Sequence, residues 1–266
     1  MVVKISIKNI LLTFDIEEFD LPLELGKDIS ENEQFEISKG GTEEVLELLY
    51  KNNLRSTFFL SAKFSKLYPN LIRKISKQHE IGLHCLEHKD NYSKMNEEEA
   101  IERIKNGKNI IEKIIDKKII GFRAPRCQPP NYNVLNKSGI LYDSSLNPIY
   151  IPGRYNNFFS QRTVFSENNV QILPISVSPI LRLPLFWIAF RNFPLLYSKY
   201  ITNRCNNYAC LVFHSWEFVN IEKFDLPRFI KRNTGEKLNL KLNNYINWCI
   251  KNNFEFKTVS DYLITS

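Results

Sequence analysis

Two histidines stand four residues apart in this chain, at His84 and His88, and they are two of only four in the sequence. A spacing of four places both imidazoles on one face of a helical turn, so both can reach the same point. Neutral imidazole is a good ligand for zinc and related divalent cations. The pair therefore predicts a metal site, although so short a pattern also arises when one histidine caps a helix and the other is solvated.

A group of carboxylates follows an apolar stretch near the start of the chain. Residues 11–14 are Leu-Leu-Thr-Phe, and acidic residues follow at 15, 17, 18 and 20. On an extended strand Asp15 and Glu17 share one face, whereas Glu18 takes the other. The pattern fits a strand that delivers two carboxylates to one site, and it also fits an acidic loop exposed to solvent.

The elements that must position these groups alternate between short apolar strands and amphipathic helices, which is typical of a parallel α/β fold. We predict strands over 1–14, 54–61, 80–83, 119–122, 140–143 and 254–258, with another at 210–213 before His214. Helices are predicted over 42–52, 62–78, 239–251 and from Asn96 onwards, and residues 26–41 read as a loop. In a parallel barrel the strand C-termini share one rim. The groups expected to converge there are Asp15, Glu17, His84, His88, Arg123, Asp143 and His214.

Composition limits the classes of protein that this chain can belong to. Its 266 residues are 43% hydrophobic and carry a net charge of +7, spread without a basic tail, so nucleic-acid binding is disfavoured. The five cysteines form no CxxC pair, which favours a reducing, cytoplasmic setting, and no apolar export segment is found at the start. No linker or repeat interrupts the chain, so residues 1–266 are interpreted as one domain. Oligomeric state is left open.

The stretch 179–200 is rich in Phe, Trp, Leu and Arg and is the least explained. Arginines and prolines interrupt it, so it is not expected to span a membrane. It fits either a core helix or an interfacial patch that meets a lipid-linked sugar at the inner face of the membrane. His79, among polar neighbours, is expected at the surface.

Five short motifs, each after a predicted strand, occur in a fixed order. They are T-F-D-x-E (13–17), H-x-x-x-H (84–88), R-x-P (123–125), Y-D-S-S (142–145) and H-x-W-E (214–217). The series resembles the polysaccharide deacetylases with a NodB homology domain, also called carbohydrate esterase family 4, and in particular the branch associated with exopolysaccharide biosynthesis. The resemblance implies a distorted (β/α) barrel of seven strands.

The same resemblance implies roles for residues. Asp15 would be the general base and His214 the general acid, while Arg123 would hold Asp15 ionised and oriented. Asp143 is the candidate for the aspartate that tunes the acid histidine. The implied ligands of a divalent metal, zinc or else cobalt, nickel or iron, are Glu17, His84 and His88.

This assignment agrees with the chemistry of amide hydrolysis, which needs a Lewis acid, an activated water and a proton for the leaving amine. A backbone N–H after the R-x-P turn, at Arg126, would hold the oxyanion. The chain departs from the family where Ile16 stands in place of a second aspartate, which leaves Glu18 and Asp20 as alternative ligands. Cys85 stands where Ser or Thr is common, and Trp216 fits either a sugar-stacking wall or plain core.

The function expected from these residues is metal-dependent removal of an N-acetyl or O-acetyl group from an amino sugar in a glycan or its precursor. One alternative is removal of a formyl or other small acyl group from a lipid-linked sugar. Another is a non-catalytic barrel that binds carbohydrate.

Overall fold

The computed structural model describes residues 8–265, and its centre is one curled, mostly parallel sheet. The strands are β1 (Asn9–Ile16), β2 (Thr57–Ser61), β3 (Glu80–Cys85), β4 (Gly121–Phe122), β5 (Tyr142–Asp143), β6 (Tyr150–Ile151), β7 (Tyr155–Asn156), β8 (Phe165–Glu167), β9 (Val170–Ile172), β10 (Tyr208–His214) and β11 (Glu255–Phe256). The main sheet has nine strands in the order β10-β1-β2-β3-β4-β5-β9-β8, with β11 beside β1. Residues 1–7 of the predicted first strand lie outside the described residues.

Seven of these strands, from β10 through β1 to β9, run parallel in one continuous row. The antiparallel β8 and the short β11 are additions to that row. The predicted α/β fold with a distorted seven-stranded barrel is therefore confirmed, and the extra strands are the difference. β11 falls within the strand predicted over 254–258, whereas β8 escaped prediction because its three residues are too few to show an alternating pattern.

The gap between β9 and β10 is bridged by the segment that follows β9. The Ser176 backbone N–H donates to the Cys210 carbonyl at 3.1 Å, and the Cys210 N–H donates to the Ser176 hydroxyl at 2.8 Å. The Tyr208 hydroxyl donates to the Pro174 carbonyl at 2.8 Å. Backbone groups along this face of β10 thus find partners without a regular strand pair.

Helices surround the sheet. They are α1 (Leu21–Glu24), α2 (Glu31–Lys51), α3 (Ala62–Leu67), α4 (Pro69–Ser76), α5 (Glu97–Ile115), α6 (Tyr132–Lys137), α7 (Trp187–Asn192), α8 (Leu195–Arg204), α9 (Arg228–Lys231), α10 (Glu236–Lys251) and α11 (Val259–Thr265), with 3-10 turns at Pro125–Cys127 and Ser215–Phe218. The predicted start of α5 is confirmed, because the Asn96 side chain accepts from the Glu99 N–H at 2.9 Å.

Helix α2 begins at Glu31, capped by Ser30, so the prediction of a loop over 26–41 and a helix start at Thr42 was wrong. The prediction rested on the polarity of residues 26–41, and the structure shows that a helix continues through Gly40 and Gly41 although glycine is a poor helix former. Position 41 needs a glycine because there is no room for a side chain: a Cβ on Gly41 would lie 1.9 Å from the Ser215 carbonyl oxygen. Helix α2 therefore approaches the 215–218 turn more closely than a larger residue allows.

The predicted helix over 62–78 is two helices, α3 and α4, divided at Tyr68. Pro69 explains the division, because it has no N–H to continue α3 and suits the first position of a new helix.

Aromatic packing fixes the sheet beneath the rim. Phe14 of β1 packs on Phe58 of β2 and on Phe213 of β10, with ring centroids 5.3 and 5.8 Å apart. His79 lies beside this core, with its ring centroid 5.1 Å from that of Phe58. It is 9% exposed, so the expectation of a surface position was wrong. The prediction followed the polar residues at 77, 78 and 80, whereas the His79 ring points into the core.

The stretch 179–200 is divided between core and surface. A tight antiparallel contact joins Val177 to Pro184, and helices α7 and α8 follow. Phe190 is fully buried, whereas Ile180 and Leu196 are 83% and 75% exposed. Within residues 8–265 no helix is both long and apolar enough to cross a bilayer.

Candidate active site

Five of the seven side chains expected to converge line one cavity at the carboxyl ends of the parallel strands; Arg123 contacts this group through Asp15, and Asp143 is not part of the lining. A cavity of about 250 Å³ lies there, and Asp15, Glu17, His84, His88 and His214 all contribute to its lining. They come from β1, β3 and β10 and from the turns that follow. The parallel strand order brings together residues that are up to 199 positions apart in sequence, because strand ends share one rim.

One carboxylate oxygen faces two imidazole nitrogens in this cavity. Oε2 of Glu17 lies 3.0 Å from Nε2 of His84 and 3.1 Å from Nε2 of His88. His84 is part of β3, however, and His88 lies in the turn after it, so the helical turn inferred from their spacing was wrong. The chain folds back after the strand and leaves the two rings nearly parallel, with centroids 5.9 Å apart.

These three residues fit a divalent cation. Ligand atoms bound at about 2.1 Å to one ion stand roughly 3.0–3.4 Å apart, and the two distances from Glu17 Oε2 match that range. Their donor atoms all lie within 4.8 Å of one another. Glu17, and not Glu18, is the carboxylate that faces both imidazoles, as the strand pattern predicted. Burial instead raises the pKa of Glu18 above its usual value.

Hydrogen bonds orient two of the three groups. The Trp216 indole N–H donates to Oε1 of Glu17 at 3.1 Å, leaving Oε2 for the imidazoles. Nδ1 of His88 lies 2.7 Å from Oδ1 of Asp20, which turns Nε2 toward Glu17. Such outer contacts fix ligand orientation in metal sites. Trp216 could not be recognised as a hydrogen-bond donor from the sequence, because an aromatic residue after a strand usually belongs to the core.

The site favours positive charge. Burial raises the pKa of Glu17, but the facing His88, His214 and His84 outweigh it and hold that pKa well below its usual value. Burial lowers the pKa of His88, yet the Glu17 and Asp20 carboxylates outweigh it and hold the pKa well above its usual value. A carboxylate that stays ionised beside imidazoles is what cation binding requires.

Asp15 stands apart from this trio and pairs with Arg123. Nη1 of Arg123 donates to Oδ1 of Asp15 at 2.9 Å and to the Thr13 hydroxyl at 2.7 Å. The other face of the fork binds Ser144, through its carbonyl at 2.9 Å and its hydroxyl at 3.0 Å. Because Arg123 is fully buried and held on both sides, it fixes the carboxylate of Asp15 in one orientation.

His214 is the last residue of β10 and pairs in register with Asp15. Its Nε2 lies 4.0 Å from Oε1 of Glu17, and its ring stacks on Trp216 with centroids 5.1 Å apart. Burial lowers the pKa of His214, but Glu17 and Glu217 more than offset this, so the pKa is raised above its usual value.

The carboxylate that contacts Nδ1 of His214 is Glu217, at 3.1 Å, and not Asp143. Asp143 instead accepts hydrogen bonds from the Ser145 hydroxyl at 2.5 Å and the Ser145 N–H at 3.1 Å. The predicted contact between Asp143 and His214 was therefore wrong. Burial raises the pKa of Asp143 to about 6. Asp143 is the last residue of β5, and its carboxylate caps the turn that follows the strand. The residue that the sequence analysis missed, Glu217, is the last residue of the H-x-W-E motif.

The backbone is strained where an oxyanion donor was predicted. Arg126 and Cys127 both adopt left-handed φ angles, 55° and 52°. Such a conformation costs about 1–3 kcal/mol per non-glycine residue and collects at functional sites. The Arg126 side chain binds the His88 carbonyl at 3.1 Å and the Glu24 carboxylate, which ties the R-x-P turn to the histidine turn.

Comparison with known proteins places the chain in a family. The profile described as polysaccharide deacetylase matches residues 3–140, more than half of the 266 residues. The chain belongs to the polysaccharide deacetylase family. The matched part includes Asp15, Glu17, His84, His88 and Arg123, whereas His214 lies beyond it.

A curated protein and several solved structures resemble this family member. A curated peptidoglycan-N-acetylglucosamine deacetylase of Bacillus cereus is 28% identical over 95 residues, which is 35% of this chain and 32% of that protein. The alignment thus spans about a third of the relative's length.

Solved structures resemble the fold along nearly the whole chain. A Mycobacterium smegmatis protein assigned to the polysaccharide deacetylases has a TM-score of 0.68 at 16% identity, covering 98% of this chain and 91% of its own. A pseudoenzyme of carbohydrate esterase family 4 from Bacillus anthracis has a TM-score of 0.58 at 13% identity, covering 96% and 65%. At such low identity these matches describe the fold alone.

Proposed function

We propose that this family member is a metal-dependent hydrolase that removes an N-acetyl group from an amino sugar in a glycan or glycan precursor. One observation carries the proposal: Oε2 of Glu17 faces Nε2 of both His84 and His88, at 3.0 and 3.1 Å, while Asp15 remains outside that group. Hydrolysis of an amide needs both a cation site and a carboxylate that the cation does not use.

Glu17, His84 and His88 would hold the cation, with zinc as first candidate and cobalt, nickel or iron as alternatives. A cation held there supplies Lewis-acid polarisation of the acyl carbonyl and of the attacking water. Two imidazoles and one carboxylate leave coordination positions open for both, as catalytic sites require.

The remaining residues move protons and hold charge. Asp15, oriented by Arg123, would accept the proton of the attacking water. His214, on the neighbouring strand, would donate a proton to the leaving amine. The Arg126 N–H is the proposed donor to the oxyanion, in the strained turn beside the cavity.

The substrate class follows from the family and from the cavity. Its wall includes Trp187 and Tyr155, partly exposed aromatic residues on which a sugar ring can stack. The B. cereus relative is named for N-acetylglucosamine in peptidoglycan, so an acetylated hexosamine is the first substrate to test. We expect the reaction in the cytoplasm, on a glycan intermediate or a lipid-linked sugar.

A second candidate function is carbohydrate binding without catalysis, and the B. anthracis pseudoenzyme with the same fold favours it. Retention of Asp15, Glu17, His84, His88 and His214 in one cavity supports the enzyme instead.

Acetate release from N-acetyl chitooligosaccharides and UDP-linked N-acetylhexosamines, measured with metal-loaded protein, distinguishes the two. Asp15→Asn should lower kcat by about 10²–10⁴-fold, the usual contribution of a general base. Asp225→Asn, at an exposed carboxylate, is the matched control. If the wild type binds these sugars and releases no acetate, and Asp15→Asn binds them equally, the binding function replaces the enzyme.

A further inference from the structure

Two buried residues, Glu217 and Arg191, extend from His214 away from the cavity. Oε1 of Glu217 accepts from the His214 backbone N–H at 2.9 Å and lies 3.1 Å from its Nδ1. Oε2 of the same carboxylate accepts from Nη1 of Arg191 at 2.6 Å. The side chains of Glu217 and Arg191 are both 0% exposed. An ion pair so fully removed from water is costly to keep for stability alone.

Helix α7 carries Arg191 and is fixed in several ways. Nη2 of Arg191 donates to the Ile230 carbonyl, and the Arg191 carbonyl accepts from Lys241 Nζ at 3.2 Å. Trp187, at the start of α7, sets the edge of its ring against His214, with centroids 5.4 Å apart. Its φ of 48° is rare for so large a residue.

We propose that Glu217 is a positioning residue for His214 and that Arg191 holds Glu217 in turn. The proposal rests on the proposed function, in which His214 protonates the leaving amine. With Glu217 accepting from Nδ1–H, the imidazole must present Nε2 to the cavity. The contacts from His214 through Glu217 to Arg191 thereby give α7 the role of holding Glu217 in place. Helix α7 lies within the stretch 179–200, whose role the sequence left open.

The leaving group separates this role from a merely structural one. A sugar amine is a poor leaving group and departs only as it is protonated, whereas a nitrophenolate leaves without a proton donor. Loss of correct His214 positioning should therefore slow amide hydrolysis selectively. Loss of the cation site or of the fold should slow amide and aryl-ester hydrolysis together.

The test compares hydrolysis of N-acetyl chitooligosaccharide with that of 4-nitrophenyl acetate, using the zinc-loaded chain of residues 1–266. We expect Glu217→Gln to lower kcat on the amide by about 10²–10⁴-fold while the aryl ester changes by no more than about threefold. Glu222→Gln, at an exposed carboxylate four residues after the 215–218 turn, should change neither the amide rate nor the ester rate. An equal fall on both substrates, or none on the amide, would overturn the proposal.

Two further measurements keep the outcome clear. The double variant Arg191→Met, Glu217→Leu removes both buried charges, so its melting temperature should exceed that of Arg191→Met alone. If amide hydrolysis returns to the wild-type rate with it, the pair is structural and the proposal fails. We expect the amide-to-ester rate ratio to stay low.

The ¹⁵N spectrum of labelled histidine provides a readout independent of activity. His214 should carry its proton on Nδ1 in the wild-type protein, and this tautomer should be lost in Glu217→Gln. An unchanged tautomer would overturn the proposal. Should the wild type hydrolyse no amide, the proposed function fails, and the tautomer still decides whether Glu217 positions His214.

Discussion

Asp15 of β1 and His214 of β10 are partners in the parallel register of the two strands. Residues paired in this way point to the same face of the sheet, so the two side chains flank one space. The proposed cation ligands belong to the same rim, because Glu17 follows β1, His84 lies near the end of β3 and His88 lies in the turn after it. The proposed base and acid are thus positioned by adjacent, hydrogen-bonded strands of the central sheet.

Cation binding should depend on Glu17 and not on its neighbour. Glu17→Gln is expected to lower zinc affinity at least about tenfold, because an amide replaces the one carboxylate within residues 8–265 that faces both imidazoles. Glu18→Gln, the matched control one residue away, should retain the wild-type stoichiometry. Isothermal titration of metal-stripped protein with zinc measures both. The reverse order of affinities would make Glu18 the ligand.

Arg123→Leu should destabilise the protein by about 3–5 kcal/mol, the usual cost of leaving one partner of a buried ion pair alone. Asp15 would then be 3% exposed without its cation, and Thr13 and Ser144 would lose a donor. Arg55→Leu removes a surface arginine whose partner Asp261 is 43% exposed, and it should cost about 0–1 kcal/mol. Urea unfolding compares the two, and equal losses would contradict the ion pair's importance.

The neighbouring glycines of α2 should respond to alanine in opposite directions. At Gly40 a Cβ would meet Val219 at 3.7 Å, an ordinary contact, so Gly40→Ala should stabilise the helix by about 0.5–1 kcal/mol. At Gly41 it would lie 1.9 Å from the Ser215 carbonyl, and backbone must move. We expect Gly41→Ala to destabilise by about 1–3 kcal/mol. Thermal unfolding of both variants checks this, and a stabilising Gly41→Ala would refute the close approach.

The stability of the protein should fall in acid partly through His79. Burial, with Arg55 nearby, lowers the pKa of His79 to about 4. Its unfolded pKa is about 6.5, so between those values the unfolded chain binds the extra proton. The free energy of unfolding should therefore decrease as pH falls from about 6.5 to 4, by about 2 kcal/mol after allowance for partial solvent contact. His79→Phe should remove this component in urea titrations across that range, and an unchanged pH slope would contradict it.

Much of the site could be predicted because strand ends leave a clear pattern. An apolar run followed by Asp15, His84 or His214 locates both the strand and the rim, and parallel order then brings the side chains together. Asn96 was recognisable as a helix start for a similar local reason, its capping side chain.

The errors arose where a distant contact decided the local structure. Gly41 looks like a break until the Ser215 carbonyl beside it is known. Asp143 and Glu217 each belong to one of the five motifs, and only the three-dimensional fold shows which one reaches His214. His79 was wrongly expected at the surface, because a single buried ring among polar residues produces no repeating hydrophobic pattern in the sequence.

The hydrogen bonds between residues 174–176 and β10 have one more consequence. Ile175 and Val212, on the two sides of that junction, both belong to the cavity wall. This part of the wall is therefore irregular chain resting on a sheet edge, and its width can change without altering the register of β1, β2 and β3. Substitutions there are expected to change the shape of the cavity while the positions of Glu17, His84 and His88 stay the same.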